Sequence, residues 1–555
     1  MDMADATYDA IVVGGGHHGT IIAAYLAKAG LETAVFERQH ELGGGACGED
    51  LPCPGFVQNP CAHFTRFWAH PAYRDFDLPS KGLKYVFPDQ NEGIVFPDGT
   101  AFVGYSAFVV DPETGTETYS EENVKRTYDE IARFSKRDAE TYLELLGRYQ
   151  RKWRQAFREY RYSPPTPWGV PNALERLLGD PVDGIDPVWA FMTGRQLALD
   201  LFDSPELQIL FMRAIETSTG SFPSDVLGPY VFVHTLALVL SWESASIVYG
   251  GTHSITHALQ RAFSSLGGKF FVSHEVERAV VENGRCVGVV LTDGTEVRAR
   301  KFVVSDLGVP QTCRRLLGPD YFPESVFRRT GKIDYDRAQI FWGNIAMHEL
   351  PDYTAKAFNP DVGPQPRLYM GPKDVDYMAY KYQAEIWTRG WPSNFYLLAA
   401  PDSIWDPTRA PAGKHTILVE EFAAPYRFHS ESEWRRMKKE VVGEFLKHWQ
   451  KYAPNMTWDN VIAAHITTPW DVINRNIDMH EGGWVEGAMT VNQLDRFRPT
   501  PELANYRTPV KDLYICSSNL HSGGGIGRGS SYCCYKVIAE DHGLPRFWEE
   551  AGRTY

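Results

Sequence analysis

The chain has no cationic excess, little cysteine and no apolar run long enough to cross a bilayer. Its 555 residues carry 56 Lys and Arg against 70 Asp and Glu, a formal charge of −14. That balance argues against nucleic acid or anionic lipid headgroups as general partners, since phosphate binding draws on surplus Lys and Arg. Eight cysteines, none in Cys-x-x-Cys spacing, suit reduced thiols and indicate neither a zinc site nor a redox motif. The most apolar stretch, residues 230–240, is interrupted by His234 and falls far short of the roughly 20 residues a spanning helix needs. It reads as a buried helix lining a pocket. The first seven residues are acidic, with no basic region ahead of an apolar one, so no secretory signal is expected. A cytoplasmic protein follows, with peripheral membrane contact left open. His253 and His257 have the i, i+4 spacing of a helical metal pair but no third ligand nearby, so no metal is expected.

What is present is concentrated at the start. The apolar run 10–13 suits a buried parallel strand, and Gly14, Gly16 and Gly19, with Gly15 between them, fill a G-x-G-x-x-G pattern. The first glycine permits the tight turn, the second lets backbone approach a pyrophosphate, and the third lets helix pack on strand. A helix from Thr20 to about Ala29 directs free N–H groups at the phosphates. Gly30 ends it, and a second apolar strand, 33–36, leads into Glu37. An acid about 20 residues past the glycines is placed to accept ribose hydroxyls. Arg38 stands beside it, and Gly43, Gly44 and Gly45 form a second glycine turn.

Later segments extend the pattern. Residues 276–306 contain turn dipeptides at Asn283-Gly284 and Asp293-Gly294 between β-rich runs, a meander feeding a further apolar strand. Near the C-terminus, residues 512–516 form another buried strand running into Asn519 and the turn His521-Ser522-Gly523-Gly524-Gly525-Ile526. Residues from Ser530 to about Asp541 then read as a helix whose N-terminus can stabilise negative charge. Between these blocks, residues 120–160 are helical and charged, 163–188 read as a loop, and helices follow near 188–201 and 205–217. Strands are expected at 339–347, 394–398 and 415–422.

Together these motifs resemble the carotenoid desaturase or phytoene dehydrogenase-like flavoproteins, in the larger group that includes the monoamine oxidases. The resemblance covers essentially the whole chain. It rests on residues 8–19, 37–45, 54–56, 249–259, 276–306, 483–499 and 509–525, the last being its most specific part. Two departures mark a divergent branch. Leu520-His521-Ser522-Gly523 stands where Thr-His-Pro-Gly is usual, and Gly45 stands where many relatives carry arginine. The resemblance implies an α/β chain in which a Rossmann-type FAD-binding domain (1–105, 245–310 and 479–555) alternates with a discontinuous α+β substrate domain (106–244 and 311–478). It also implies non-covalent FAD, touched by Gly14, Gly15, Gly16, Gly19, Glu37, Arg38, Gly43, Gly44, Gly45, Val276, Asn519, Gly524, Gly525 and Ile526.

The expected chemistry is hydride transfer between an apolar terpenoid, alicyclic or carotenoid-like substrate and the flavin, as in a CH–CH dehydrogenase. Twelve tryptophans in the substrate segments favour a flat or apolar substrate, although most belong to the core. A flavin-dependent isomerase or saturase, an amine oxidase, and a prenyl-binding carrier of the Rab GDP-dissociation-inhibitor type are the alternatives. The intact glycine turns disfavour the carrier. Oxygen, a quinone or another acceptor would reoxidise the flavin. His521, immediately before the C-terminal glycine turn, is the first candidate for an acid–base role, and His63, after the second glycine turn, is another. Glu420 and Glu421 adjoin on a strand and so face opposite sides, which argues against a paired acid and base.

Overall fold

A computed structural model describes residues 6–555; of the acidic N-terminal stretch, Met1–Asp5 lie outside the described residues. The cofactor-type half is built on a seven-stranded sheet. Lys269–Phe271, Thr33–Phe36, Thr7–Val13 and Glu296–Ser305 lie side by side and parallel, and Leu513–Ile515 adds to the far end of Glu296–Ser305. The strands Thr33–Phe36 and Leu513–Ile515 are wholly buried, as continuous apolar runs in parallel sheets are. Val276–Glu282 and Arg285–Leu291 complete the sheet as an antiparallel meander. Asn283 and Gly284 both take positive φ, 51° and 75°, the geometry of the tight turn expected there.

Three helices cover one face of this sheet. His17–Lys28 packs between His253–Ser265 and Ser530–His542, and their small and apolar residues form one core with Ile21, Ile22, Leu259 and Ile538. The first helix begins at His17, three residues earlier than the sequence suggested, because extended Gly16 serves as its cap.

The second half is a mixed sheet of seven strands. Its order is Val461–Thr467, Ile340–Met347, His415–Phe422, Leu397–Ala400, Arg367–Met370, Gln90–Val95, Ala101–Tyr105. Gln90–Val95 and Ala101–Tyr105 therefore pair with the second half, whereas the sequence reading placed residues 1–105 with the first. The strand Gln90–Val95 pairs in parallel with Arg367–Met370, some 270 residues away, so nothing near it in sequence assigns it to a half. Helices Glu121–Ala132, Lys136–Arg148, Arg154–Tyr162, Pro205–Thr219 and Gly228–Val239 pack with this sheet around one large core. Ser120 and Ser135 cap the first two of them by accepting from Asn123 N and Asp138 N. Among the described residues no helix is long and apolar enough to cross a membrane, and no cluster of His, Cys, Asp or Glu could hold a metal ion.

Candidate functional site

The two halves enclose one continuous cavity of about 470 Å³, and the glycine turns form one end of it. Gly14 turns at φ +92°, and a Cβ on Gly19 would meet the Gly14 carbonyl oxygen at 2.3 Å, so the helix can approach the strand only with glycine there. The second turn is stitched to the first: Gly43 N donates to Gly15 O at 2.8 Å, and Gly16 and Gly43 form a parallel bridge. No side chain caps the helix that starts at His17, leaving its first N–H groups and positive dipole end directed at this turn. Glu37 accepts from Gly15 N at 2.7 Å with one carboxylate oxygen and from Gln39 N at 2.8 Å with the other. It thus fixes the turn and keeps further lone pairs for a sugar hydroxyl. This cradle fits the pyrophosphate and ribose of a dinucleotide.

Of the residues assigned to the cofactor from sequence, Gly14, Gly16, Glu37, Arg38, Gly44, Gly45, Val276, Gly524, Gly525 and Ile526 line the cavity. Gly15, Gly19 and Gly43 shape the turns from behind. Asn519 does not reach the cavity, a correction to the sequence reading. Its Oδ1 accepts from Val309 N at 2.7 Å and its Nδ2 donates to the Glu486 carbonyl, so it ties three loops together behind the site. Asn519 sits in a stretch, 517–525, where every residue but Leu520 is polar or glycine, and nothing local says which of them faces inward.

The cofactor end also holds carboxyl groups that the sequence reading missed. Asp306 ends the strand Glu296–Ser305 and lies against the fingerprint: a Cβ on Gly16 would meet its Oδ2 at 2.6 Å. Burial raises its pKa well above the ordinary carboxyl value. Asp478, accepting from Gly308 N at 3.0 Å, is pushed up to about 7 by burial. Burial, and then the neighbouring Asp478, raise Glu486 as well. These groups suit hydrogen bonding to hydroxyls better than they suit free charge.

The far end of the cavity is a chamber walled by the second sheet and the helices. Trp342 and Glu420 come from adjacent strands in register, Trp342 opposite Glu420. Glu421 points the other way, to Lys381 Nζ at 3.2 Å, confirming the opposite facing expected on a strand. Glu420 is buried, and burial, opposed by Arg213 and Arg367, lifts its carboxyl to about 7. It was not among the residues nominated for acid–base chemistry, because only the pairing of sheet and cavity shows that it faces inward. His234, on the apolar helix Gly228–Val239, lines the chamber as its sequence position suggested. Of the twelve tryptophans, Trp342 lines the cavity, joined by Trp484, while Trp153, Trp242, Trp434 and Trp449 are fully buried core.

His63 also lines the chamber, but both ring nitrogens are taken. Thr252 N donates to Asn59 Oδ1 at 3.0 Å, which turns the Asn59 amide group toward His63 Nδ1 at 3.3 Å. Nε2 therefore carries the proton and donates to Asp402 at 2.9 Å. Burial would raise the Asp402 carboxyl, but His63 and Arg409 outweigh it and hold its pKa below the usual value. His521 is the second correction. It is absent from the cavity wall: its Nε2 bonds the Tyr160 carbonyl at 2.7 Å and its ring stands edge-on to Tyr160 at 4.7 Å. Burial pushes its pKa down. The glycine turn reaches the cavity through residues 524–526 while the preceding side chain points away from it, so His521 supports the turn from behind.

Residues 12–74 match the family of NAD(P)-binding Rossmann-like domains. The chain is 27% identical over 573 residues to pyridine nucleotide-disulfide oxidoreductase domain-containing protein 2 of Rattus norvegicus, covering 96% of this chain and 94% of that protein. It is 24% identical to a limonene dehydrogenase polypeptide of Castellaniella defragrans, covering 98% and 96% of the two chains. It is also 24% identical to phytoene desaturase of Fusarium fujikuroi, covering 94% and 87%. An oxidoreductase from Methanosarcina mazei shares the fold at TM-score 0.59 and 16% identity, over 96% of this chain and 99% of that one. With the glycine cradle and the strand–turn–helix that ends in Ser530–His542, the chain is similar, at 24–27% identity, to proteins named as a limonene dehydrogenase, a phytoene desaturase and a pyridine nucleotide-disulfide oxidoreductase domain-containing protein.

Proposed function

We propose that the chain is an oxidoreductase that holds FAD non-covalently and dehydrogenates a CH–CH bond of a small organic substrate. One observation carries the reading: the dinucleotide cradle and the chamber are two ends of a single cavity, so a cofactor seated on Gly14–Gly16 extends toward Trp342 and Glu420. When bound, FAD supplies a hydride acceptor. The chain supplies the rest. Trp342, Trp484 and Phe64 offer flat apolar surface against which a carbon skeleton can lie. The 524–526 turn brings backbone to the cavity wall, where its N–H groups can meet developing negative charge. Glu420 is the carboxylate placed to take the second hydrogen as a proton, and it becomes available as a base as pH rises through about 7.

The test is anaerobic mixing of the flavin-loaded chain with a panel of saturated and unsaturated cyclic and terpenoid compounds and amines, following loss of flavin colour. Bleaching by a compound with adjacent C–H bonds, with the corresponding product carrying one further double bond recovered in equal amount, supports the reading. Bleaching by amines alone would replace it with amine oxidation.

A further inference from the structure

The chamber is not lined by apolar and aromatic side chains alone. Four guanidinium groups, those of Arg66, Arg161, Arg367 and Arg528, line it together. They come from four separate parts of the chain and meet around His234. Arg528 Nη2 lies 3.4 Å from His234 Nε2, and burial together with Arg161, Arg66 and Arg367 drives the His234 pKa well below its ordinary value. Neutral His234 therefore contributes no further charge.

Their hydrogen bonds leave much of this cationic capacity unused. A guanidinium has five donors. Arg66 donates through Nε to the Ser244 carbonyl at 3.0 Å, Arg161 through Nη2 to the Gly527 carbonyl at 2.9 Å, and Arg528 through Nη2 to the Ser218 carbonyl at 3.2 Å. Arg528 Nη1 and Arg161 Nε are buried with no partner, and Arg528 is only 5% exposed. Among the described residues, no carboxylate oxygen lies within 4.0 Å of Arg66, Arg161 or Arg528 in an ion pair. The acids behind them are already taken: Glu92 pairs with Arg367, and Glu243 with Arg154 and Tyr149. At the other end of the cavity Glu37 and Asp478 accept from backbone N–H groups of the glycine turn and its supporting loop. Within the chamber Glu420 is drawn to Arg213 and Arg367 rather than to Arg66, Arg161 or Arg528. Mutual repulsion shows in the arginines themselves. Burial and then Arg367 lower Arg66 to about 10, and burial and then Arg161 lower Arg528 to about 9. Charges so costly to bury are retained where something anionic compensates them.

From this arrangement, and resting on the reading of the cavity as a flavin and substrate site, we infer that the substrate carries an oxyanion, a carboxylate or phosphate, which the Arg66, Arg161, Arg367 and Arg528 cluster binds. The apolar wall at Trp342 and Phe64 then receives the carbon skeleton, and Arg367 stacks over the Phe64 ring at 4.2 Å, joining the two surfaces. The substrate class is an amphipathic acid, and a neutral hydrocarbon would leave Arg66, Arg161 and Arg528 without an anionic partner. Guanidinium forks match both oxyanions in a bidentate way.

The test uses flavin-loaded protein and four probes with the same alkyl chain: the carboxylate, the phosphate monoester, the primary amide and the alcohol. Binding is read from perturbation of the visible flavin spectrum and, independently, from thermal stabilisation. The inference predicts saturable binding of one or both anions, at least about tenfold tighter than the amide or alcohol, and weakened by about 10- to 100-fold in Arg66→Gln and Arg528→Gln. Carboxylate and phosphate are told apart by which of the two binds more tightly. FAD content is measured in every variant. Equal affinity for the anions and the neutral probes overturns the inference, as do variants that keep FAD and bind the anions unchanged. Loss of FAD in Arg66→Gln and Arg528→Gln, with anion binding to the flavin-free wild type absent, assigns the arginines to the cofactor and also overturns it. If the wild type takes up no FAD but is stabilised by the anions and not by the amide, the flavin reading fails and the anion site stands.

Discussion

Replacing Glu420 with glutamine should remove a pH-dependent loss of stability. Burial lifts this carboxyl from 4.5 to about 7, against the attraction of Arg213 and Arg367. At roughly 1.4 kcal/mol per tenfold change in proton affinity, that displacement corresponds to about 3 kcal/mol. The sign follows from proton counts. Below the unfolded value both states hold the proton, and the contribution to stability is fully present. As pH rises toward about 7 the unfolded chain releases its proton while the folded chain keeps it, so stability falls. Above that range both states are ionised and the loss is complete. Glutamine has no such titration. Urea unfolding of flavin-loaded wild type and Glu420→Gln at about pH 5 and about pH 8 isolates the effect, because other titrating groups cancel in the difference. Since part of the loss has already occurred at about pH 5, the variant should gain about 2.5 kcal/mol on the wild type between the two conditions. A difference independent of pH would refute the placement of Glu420 as a buried, cavity-facing acid. In the same variant the rate of flavin reduction by substrate should fall by about 10²- to 10⁴-fold.

Glu37→Ala should weaken FAD binding by about 10- to 100-fold and more than His18→Ala does, since Glu37 fixes Gly15 and offers the charged acceptor; flavin titration of both variants checks this. His521→Ala should retain FAD and leave the pH profile of flavin reduction unchanged, while losing roughly 1–3 kcal/mol of stability with its bond to the Tyr160 carbonyl, as stopped-flow and unfolding measurements would show. Asp402→Asn should destabilise the protein by roughly 1–3 kcal/mol, because it weakens the bond accepted from His63 Nε2 and leaves Arg409 less compensated; chemical denaturation reads it.

The parts of the fold that the sequence makes legible are those with local causes. The fingerprint turn, the meander with its Asn-Gly turn, the strand His415–Phe422 and the helix Gly228–Val239 all follow from short-range periodicity and turn chemistry. Pairing over long distances does not. Only the parallel partner of Gln90–Val95, Arg367–Met370, decides which half of the molecule it joins. The same distinction governs the site. Gly14, Gly16, Glu37 and Gly44 are legible because a phosphate cradle demands those residue types at that spacing. Arg66, Arg161, Arg367 and Arg528 are scattered over more than 460 positions, and no local pattern marks any of them as facing a cavity. His521 shows the converse, since being next to a functional turn in sequence did not bring its side chain to the same surface.

The central claim, that Gly14–Gly16, Glu37 and the 524–526 turn form a cradle for FAD held without a covalent bond, is tested most directly by the bound cofactor itself. Purified protein is titrated with FAD to saturation, freed of excess, then denatured with acid and centrifuged, and the flavin in each fraction is quantified. The expected result is one FAD per chain, all of it in the supernatant. A chain that takes up no FAD, or one whose flavin stays with the pellet, would contradict the claim.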